Sequence, residues 1–348
     1  MGGAGGPVTG IAGNPLPVRS ALEVLALDFP RYRIWMRGIG GRLFYLAEAV
    51  DPHVQPRFAQ AETLERLRGK LATPVRPFDA SEPSIPRVWD VLLGGKDNFA
   101  ADRQQAAKLL AVYPRAAELA RESRQFQARA VTYVAGAGIR QFLDLGCGLP
   151  TAPSTHETAH AMQPGAAVVY VDNDEQVMSH AQNILARAPG VLAVAGDLTH
   201  PGEILYDWRI REVLDFRQPL CLVLTMTLHF LSAETARSVT SRLIAGIPAG
   251  SYLITSVGHL DGRTGRQFTS HYDAGDLHHH SRADVAGFLD GLDLIAPGIT
   301  DARDWHAPRV IASDSRRGHI WAAVGRKPAP VLADALSEER TGCLRHGR

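Results

Sequence analysis

The stretch QFLDLGCGLPT, Gln141–Thr151, is the strongest indication of the fold, because a short apolar run ends in an acid and two glycines. The acid is Asp144, and Gly146 and Gly148 follow it with one residue between them. Glycine lets the backbone turn sharply and lets a ligand come into contact with main-chain atoms. The helix predicted over residues 152–162 directs its N-terminal amide groups to the same place. Taken alone, the stretch fits either a ligand-binding turn or an ordinary tight turn.

Two further predicted strands also end in acids. AAVVYVDND ends in Asp172 and Asn173, and VLAVAGDL ends in Asp197 and Leu198. In a doubly wound sheet, an acid at the second strand end lies beside the glycine turn, where its oxygens can accept both ribose hydroxyls of a nucleoside. An acid at the third strand end can accept a hydrogen bond from an adenine amino group. The alternative is that all three acids are solvated turn residues, but three successive strand ends together favour a nucleoside site.

The spacing of the glycines bears on which nucleoside is bound. The dinucleotide fingerprint G-x-G-x-x-G requires a third glycine where this chain has Thr151, which argues against an NAD-dependent dehydrogenase. Asp144, placed before the glycines, can instead reach a cationic amino-acid group. S-Adenosylmethionine carries adenosine at one end and an ammonium group at the other, so the pattern favours this cofactor over NAD.

The surrounding sequence predicts an α/β fold. Short apolar strands are predicted at 141–145, 167–171, 191–195, 219–225 and 251–256, with a helical stretch between each pair, and LDLIAPG and HIWAAVG are candidates for the last strands. This alternation predicts a mostly parallel sheet with helices on both faces. Upstream, an amphipathic helix is predicted to end at Gly94, a second to begin with Asn98 as its N-cap, and a third to cover about 114–135.

The remaining segments divide the chain into five regions. Residues 1–17 and 329–348 are predicted to be disordered, residues 18–72 to form a small helix–hairpin–helix module, residues 73–82 to form a linker and residues 83–328 to form the main domain. A helix–hairpin–helix module of this size has marginal stability alone.

Composition narrows the class of protein. A net charge of +1 offers no electrostatic argument for a nucleic-acid or anionic-membrane partner, and no run of about 20 apolar residues predicts a membrane span. The three widely spaced cysteines predict neither a disulfide framework nor a zinc site. No metal is predicted, since consecutive histidines at 278–280 do not converge on one ion, and His156 and His160 fit an exposed helix face. The expectation is a cytoplasmic protein with a small-molecule substrate, with a homodimer left open as an alternative to a monomer.

At this point the sequence resembles a known family. FLDLGCG, VVYVDND and AGDL resemble the first three motifs of class I S-adenosylmethionine-dependent methyltransferases, and LCLVLTMTLHFL and IPAGSYLITS resemble their fourth and fifth strands. More narrowly, residues 79–327 resemble a bacterial family of undefined substrate marked by R-V-Y-D-Y-L-L-G-G-K-D-N-F, which this chain reads as RVWDVLLGGKDNF with Trp89 in place of tyrosine.

The resemblance implies a fold, a cofactor and a set of site residues. The implied fold is a Rossmann-like seven-stranded methyltransferase sheet with an N-terminal helical extension, in addition to the small α+β module. The implied activity is methyl transfer from S-adenosyl-L-methionine to a small-molecule acceptor, and the alternative is a regulator that binds this cofactor without turnover. The implied cofactor-binding residues are Asp144, Gly146, Gly148, Asp172, Asn173, Asp197, Leu198 and Thr225.

The segment LLGGKDNF, residues 92–99, is not a phosphate-binding loop. That loop requires a first glycine where this chain has Asp90, and Ser or Thr where it has Asp97, and it follows a strand rather than a helix. Its position upstream of the first strand predicts instead a lid hinge. We expect Gly95, Lys96 and Asn98 to lie near the cofactor's carboxylate.

His229 and Tyr272 are the candidates for a catalytic role. His229 follows the fourth strand, where it could act as a general base if its pKa stays near neutral, although the favoured alternative is that it orients the loop. Tyr272 lies in a segment that commonly covers the substrate pocket in this fold, and the neighbouring His271 is a less favoured candidate.

Overall fold

The computed structural model describes residues 8–9, 15–16, 18–51, 54, 56, 58–72, 79–185, 188–308 and 319–329. It divides into two compact units, one formed by residues up to Asp79 with His200–Glu212 and the other by Ala80–Thr199 with residues from Val213 onward. Most of the segments predicted as disordered ends and linker lie outside the described residues. Among the described residues, no helix is long and apolar enough to cross a membrane.

The smaller unit is built around a three-stranded antiparallel sheet. Its elements are β1 (Val8–Thr9), β2 (Pro15–Leu16), α1 (Val18–Asp28), β3 (Tyr32–Ile39), β4 (Arg42–Ala49), β5 (Phe58–Ala61) and α2 (Leu64–Ala72), and β4 is the central strand between β3 and β5. The predicted hairpin and its flanking helices are confirmed, whereas β5 was not predicted because its four residues, FAQA, show no clear alternation. Leu25 of α1 and Leu67 of α2 pack on one face of the sheet around Tyr45.

The larger unit begins with three helices, α3 (Ile85–Leu93), α4 (Ala100–Val112) and α5 (Ala116–Gly136). Gly94 ends α3 in the left-handed conformation with φ of 82°, as expected for a glycine C-cap. The prediction of Asn98 as the next N-cap is wrong. Phe99 holds that position, because the Asp102 carboxylate accepts a hydrogen bond from the Phe99 backbone N–H at 2.8 Å and so caps the helix from inside its first turn.

The sheet of the larger unit then alternates with helices along the chain. The elements are β6 (Gln141–Leu145), α6 (Thr155–Met162), β7 (Ala167–Asp172), α7 (Glu175–Leu185), β8 (Val191–Ala195), α8 (Pro201–Leu205), α9 (Trp208–Val213), β9 (Cys221–Thr225), α10 (Ala233–Ala245), β10 (Tyr252–His259), α11 (Gly262–Ser270), α12 (Arg282–Phe288), β11 (Asp293–Leu294), β12 (Thr300–Asp301) and β13 (His319–Arg326). Of these, α8 and nearly all of α9 belong to the smaller unit.

Strand order confirms the predicted Rossmann-like sheet. The order is β8-β7-β6-β9-β10-β13-β11, seven strands, with the two-residue β12 as an additional partner of β13. Strands β6 to β10 run parallel, while β13 runs antiparallel to β10. Because the chain passes from β6 to one side and later returns to β9 on the other, the carboxyl ends of β6 and β9 form the topological switch point where such sheets bind ligands.

Helix α5 covers the sheet at this edge. Its buried apolar face includes Phe126, Ala130 and Val134, and the Phe126 ring meets the fully buried Trp305 ring edge-on at a centroid distance of 5.5 Å. Ser123 and Gln127 lie on the same buried face. Helix α5 therefore brings polar side chains to the strand ends as well as apolar ones to the core.

Candidate cofactor-binding site

The turn after β6 needs both of its glycines. Gly146 and Gly148 have φ of 71° and 63°, a region that other residues rarely adopt. A Cβ added to Gly146 would lie 2.8 Å from Oγ1 of Thr227, whereas one added to Gly148 would have no atom within 4 Å. The turn therefore packs closely against the loop after β9 at Gly146 and leaves open space beside the backbone at Gly148.

Asp172, at the end of β7, faces this turn. Its Oδ2 accepts a hydrogen bond from the Gly148 backbone N–H at 2.9 Å, and its Oδ1 accepts one from Asp174 N–H at 3.0 Å. Burial raises the pKa of Asp172, while these two backbone hydrogen bonds lower it. The structure thus brings together two of the predicted site residues, Gly148 and Asp172, and fixes the carboxylate beside the open space.

Asp144 lies at the end of β6 within a buried polar network. Its Oδ2 accepts hydrogen bonds from Thr155 Oγ1 at 2.6 Å and from Gln127 Nε2 at 3.3 Å. Thr225 Oγ1, at the end of β9, donates to Gln127 Oε1 at 3.1 Å. Burial raises the pKa of Asp144 to about 6, although the Thr155 hydrogen bond and the charge of Arg124 act against this rise. Gln127 therefore joins two predicted site residues, Asp144 and Thr225.

Arg124 of α5 is a candidate site residue that sequence reasoning missed. Its Nη1 donates to Gln127 Oε1 at 3.0 Å and its Nη2 to the Thr151 carbonyl at 2.6 Å. Its Nε is buried and has no partner among the described residues. The cavity it lines is bounded by Arg124, Asp144, Cys147, Gly148, Leu149, Pro150, Thr151, Ser154, Thr155, Tyr170 and Ala181.

The sequence of α5 contains a pattern that indicates functional polar residues on its buried face. Ser123 and Gln127 are four residues apart and share a face with Phe126 and Ala130, so polar residues interrupt an apolar helix face. A buried polar residue on such a face needs a hydrogen-bond partner, which these residues find at the strand ends.

The third strand end places Asp197 in a tight turn. Its Oδ1 accepts hydrogen bonds from the backbone N–H and the hydroxyl of Thr199, at 2.8 and 2.7 Å. Asp172 is paired in register with Ala195, so Asp197 lies two residues beyond the level of Asp172. Leu198 is half-buried and Asn173 is exposed.

The polar groups of the predicted lid hinge bond mainly to one another and to neighbouring residues. Asn98 Nδ2 donates to Asp90 Oδ2 at 2.8 Å and to the Gly95 carbonyl at 3.1 Å, and Asn98 Oδ1 accepts from Arg103. A Cβ on Gly95 would overlap the Asp90 carboxylate, which explains the glycine. Lys96 is exposed and makes no hydrogen bond or ion pair with another described residue. None of these contacts reaches the glycine turn, and the lid hinge stays a prediction.

The two candidates for catalysis, His229 after β9 and Tyr272 after α11, are linked through Phe230. His229 is 5% exposed, and its ring centroid lies 4.2 Å from that of Phe230, which in turn lies 6.1 Å from that of Tyr272. Burial, followed by the neighbouring histidines, lowers the pKa of His229 to about 3. The condition for a general base, a pKa near neutral, is therefore not met here. Burial raises the pKa of Tyr272, whose ring also stacks with Phe268.

Four of the histidines considered as metal ligands, His156, His160, His279 and His280, have structural partners. His280 Nε2 bonds the carbonyls of Leu228 and Leu231, both at 3.1 Å, while His279 Nε2 lies 2.9 Å from Thr269 Oγ1. His156 and His160 are half-buried rather than on an exposed helix face, and His156 bonds the Tyr170 hydroxyl. Within the described part of the chain, no three His, Cys, Asp or Glu side chains converge as a metal site.

The fold and the site together define a class of protein: a Rossmann-like fold with a glycine turn and two buried acids at the switch point of its sheet. The family model described as S-adenosyl methyltransferase matches residues 72–328, and the chain belongs to this family. Its cofactor is S-adenosyl-L-methionine. The buried acids, the open space at Gly148 and the unpartnered Nε of Arg124 fit a cofactor with hydroxyl, ammonium and carboxylate groups.

Two solved structures are similar over their whole length. A DUF574 family protein from Streptomyces avermitilis is 33% identical, with a TM-score of 0.67, and the match covers 72% of this chain and 99% of that protein. A protein from Thermobifida fusca, provisionally described as a methyltransferase, is 34% identical, with a TM-score of 0.68, over 74% of this chain and 100% of that protein. No curated protein matches the chain.

Proposed function

We propose that this protein transfers a methyl group from S-adenosyl-L-methionine to a small-molecule acceptor. The observation that carries the proposal is the buried network of Asp144, Gln127, Thr155 and Thr225, joined to Arg124, next to the glycine turn. When bound, the cofactor supplies an electrophilic methyl group on a sulfonium. The chain then needs mainly to position the reactants and exclude water.

Each end of the site has residues suited to one part of the cofactor. We assign Asp172 to the ribose hydroxyls and Asp197 to the adenine amino group, with Asn173 and Leu198 beside them. Asp144 is assigned to the ammonium group and Arg124 to the carboxylate, because a guanidinium matches a carboxylate in shape and charge. Gly146 and Gly148 allow the backbone to approach.

The acceptor is proposed to lie over the end of β9. The rings of Phe230, Tyr272 and Phe268 follow one another at centroid distances of 6.1 and 6.4 Å, and each of the three is only partly buried. They support an acceptor with an apolar face. His229 has a pKa of about 3, so it would be neutral at physiological pH and would line this region rather than accept a proton from the acceptor.

The first test is calorimetric titration with S-adenosyl-L-methionine. Asp172→Asn removes the charge but keeps the shape, and we expect it to lose about 1–3 kcal/mol of cofactor affinity from weakened charged hydrogen bonds. Asp293→Asn, at an exposed position on β11, is the matched control and is expected to bind as the wild type does. Equal dissociation constants for the two variants would contradict the assignment of Asp172.

The second test separates an enzyme from a cofactor-binding regulator. The wild-type protein is incubated with S-adenosyl-L-methionine and fractionated small-molecule extracts, and release of S-adenosylhomocysteine is followed. Release that depends on one fraction supports methyl transfer and leads to the acceptor. Binding without release across all fractions would favour the regulator.

A further inference from the structure

We propose that the acceptor is an uncharged aromatic heterocycle and that the methyl group is transferred to its ring nitrogen. The inference rests on the proposed function and names the chemistry of the acceptor. It is carried by three rings, those of Phe230 after β9, Phe268 in α11 and Tyr272 after α11, here named the aromatic row.

The aromatic row begins next to the glycine turn. Thr227, three residues before Phe230, packs so closely on Gly146 that a Cβ there would overlap its side chain. Thr227 Oγ1 also donates to the Leu145 carbonyl at 3.3 Å. His280 Nε2 bonds two carbonyls of the same loop, both at 3.1 Å. The loop that carries Phe230 is therefore fixed to the turn assigned to the cofactor.

The rings of the aromatic row are close to parallel. The planes of Phe230 and Tyr272 are inclined by 30°, and those of Phe268 and Tyr272 by 23°. Aromatic rings attract one another in offset, nearly parallel arrangements at centroid distances of about 4.5–7 Å. A flat ligand can therefore lie against more than one ring of the row, which favours a planar acceptor.

The surroundings of the aromatic row favour an acceptor without charge. Burial alone raises the pKa of Tyr272, and burial with three histidines lowers that of His229; no other charged side chain among the described residues shifts either pKa. Asp273 pairs with Lys108 at 2.9 Å, and both side chains are 54% exposed, so this pair is largely hydrated. A carboxylate or ammonium group of the acceptor would lose its hydration here without gaining an opposite charge.

The weakness of His229 as a base bears on which atom of the acceptor is methylated. A hydroxyl group has to give up its proton, and His229, with a pKa of about 3, accepts a proton too weakly to assist. An alkylamine is protonated at neutral pH and would have to lose its proton first. A ring nitrogen of the pyridine or imidazole type is largely unprotonated and has a free electron pair.

No proton has to move when a ring nitrogen is methylated. Its electron pair forms the bond to the methyl carbon, and the carbon–sulfur bond breaks with its electrons staying on sulfur. The positive charge passes from sulfur to the acceptor ring. Faces of aromatic rings attract a cation, and more strongly where water is excluded. Because the acceptor becomes positive only as the methyl group arrives, the aromatic row stabilises the transition state more than the bound acceptor.

The first test measures binding without turnover, in the full chain saturated with S-adenosylhomocysteine. Three probes of similar shape are titrated: N-methylquinolinium, which is cationic like the product, uncharged 1-methylnaphthalene and anionic 1-naphthoate. We expect N-methylquinolinium to bind most tightly and 1-naphthoate most weakly.

Variants of the aromatic row test the role of its rings. Phe230→Leu and Tyr272→Leu keep an apolar side chain but remove a ring, and should weaken N-methylquinolinium about tenfold and 1-methylnaphthalene only about twofold. Tyr133→Leu, at an exposed tyrosine of α5, is the matched control and should bind all three probes as the wild type does. Unchanged affinity for S-adenosylhomocysteine shows that each variant is folded.

The second test identifies the methylated atom. The protein is incubated with fractionated small-molecule extracts and S-adenosyl-L-methionine that is isotopically labelled in its methyl group, and the labelled position in the product is assigned by NMR spectroscopy. We expect the label on a ring nitrogen. The two ring variants should lower kcat about tenfold, with a smaller change in KM, because the attraction grows as the charge develops.

The outcomes separate the inference from the proposed function. A labelled methyl group on oxygen, carbon or an alkylamine would overturn the inference and leave methyl transfer established. Tighter binding of 1-naphthoate than of N-methylquinolinium, or equal losses for the cationic and uncharged probes in the ring variants, would also overturn it. Failure of the wild type to bind S-adenosyl-L-methionine, or to form a labelled product in any fraction, would refute the proposed function and the inference with it.

Discussion

Replacement of Asp144 by asparagine should make the protein more stable and bind its cofactor less well. Asp144 is 3% exposed, and burial raises its pKa from 3.8 to about 6. The folded chain therefore holds this proton more tightly than the unfolded chain does. The stability gained from the protonated carboxyl is complete below pH 3.8 and is lost as the pH rises through 6.

The size of the stability difference follows from the shift in the pKa of Asp144. At 1.36 kcal/mol per pKa unit, the ionised carboxylate costs the fold about 3 kcal/mol at pH 7.5 and, by linkage, about 1 kcal/mol at pH 4.5. Asparagine can still accept the hydrogen bonds from Thr155 and Gln127. We expect the free energy of unfolding of Asp144→Asn to exceed that of the wild type by about 3 kcal/mol at pH 7.5, and this difference to shrink to about 1 kcal/mol at pH 4.5.

Urea denaturation at the two pH values, followed by tryptophan fluorescence, measures this difference. Asp293→Asn, which alters an exposed acid, should show no comparable dependence on pH. Titration of Asp144→Asn with S-adenosyl-L-methionine should show a loss of about 1.5–3 kcal/mol, because the ammonium group loses a charged partner. A variant less stable than the wild type at pH 7.5 would refute the argument, since the ionised carboxylate would then be stabilising.

Two predictions concern the helices upstream of the sheet. Arg87 and Asp102 form an ion pair whose side chains are 5% and 0% exposed, so Arg87→Met leaves Asp102 as a lone charge in the core, and we expect a loss of about 3–5 kcal/mol in the free energy of unfolding measured by urea denaturation. The double variant with Asp102→Asn should recover part of this loss. A loss below about 1 kcal/mol in Arg87→Met would count against a stabilising role of the pair. Gly95→Ala places a methyl group against the Asp90 carboxylate and should lower the free energy of unfolding by about 1–3 kcal/mol. The control is Gly69→Ala in α2, where an added Cβ has no atom within 4 Å and should cause no loss of stability. Equal stability of the two variants would show that Asp90 moves aside freely.

The sheet could be predicted because its strands are short apolar runs, each ended by a local signal. The bounds of β6 and β8 agree with the sequence prediction, and Asp144 and Asp172 could be placed because they directly follow such runs. Gln127 lies 17 residues before Asp144 on another element, and their contact depends on how α5 packs, which no local pattern states.

The errors have similar causes. Asn98 was expected to cap α4 because asparagine is a favoured N-cap, but its side chain is held by Asp90, and Asp102 caps the helix in its place. Residues 200–212 could not be grouped with the N-terminal module, because five- and six-residue helices show no periodicity and their partners lie more than 120 residues away.

This last separation has a consequence for how the protein is made. The face of the N-terminal sheet that carries Phe44 and Leu46 is covered by Tyr206 and Trp208, so it stays open until residue 212 has left the ribosome. At roughly 5–20 residues per second, the wait between residue 79 and residue 212 is about 7–27 seconds. During synthesis the first module is thus an unfinished apolar surface, and it can close only after β6, β7 and β8, three of the seven strands of the methyltransferase sheet, have been made.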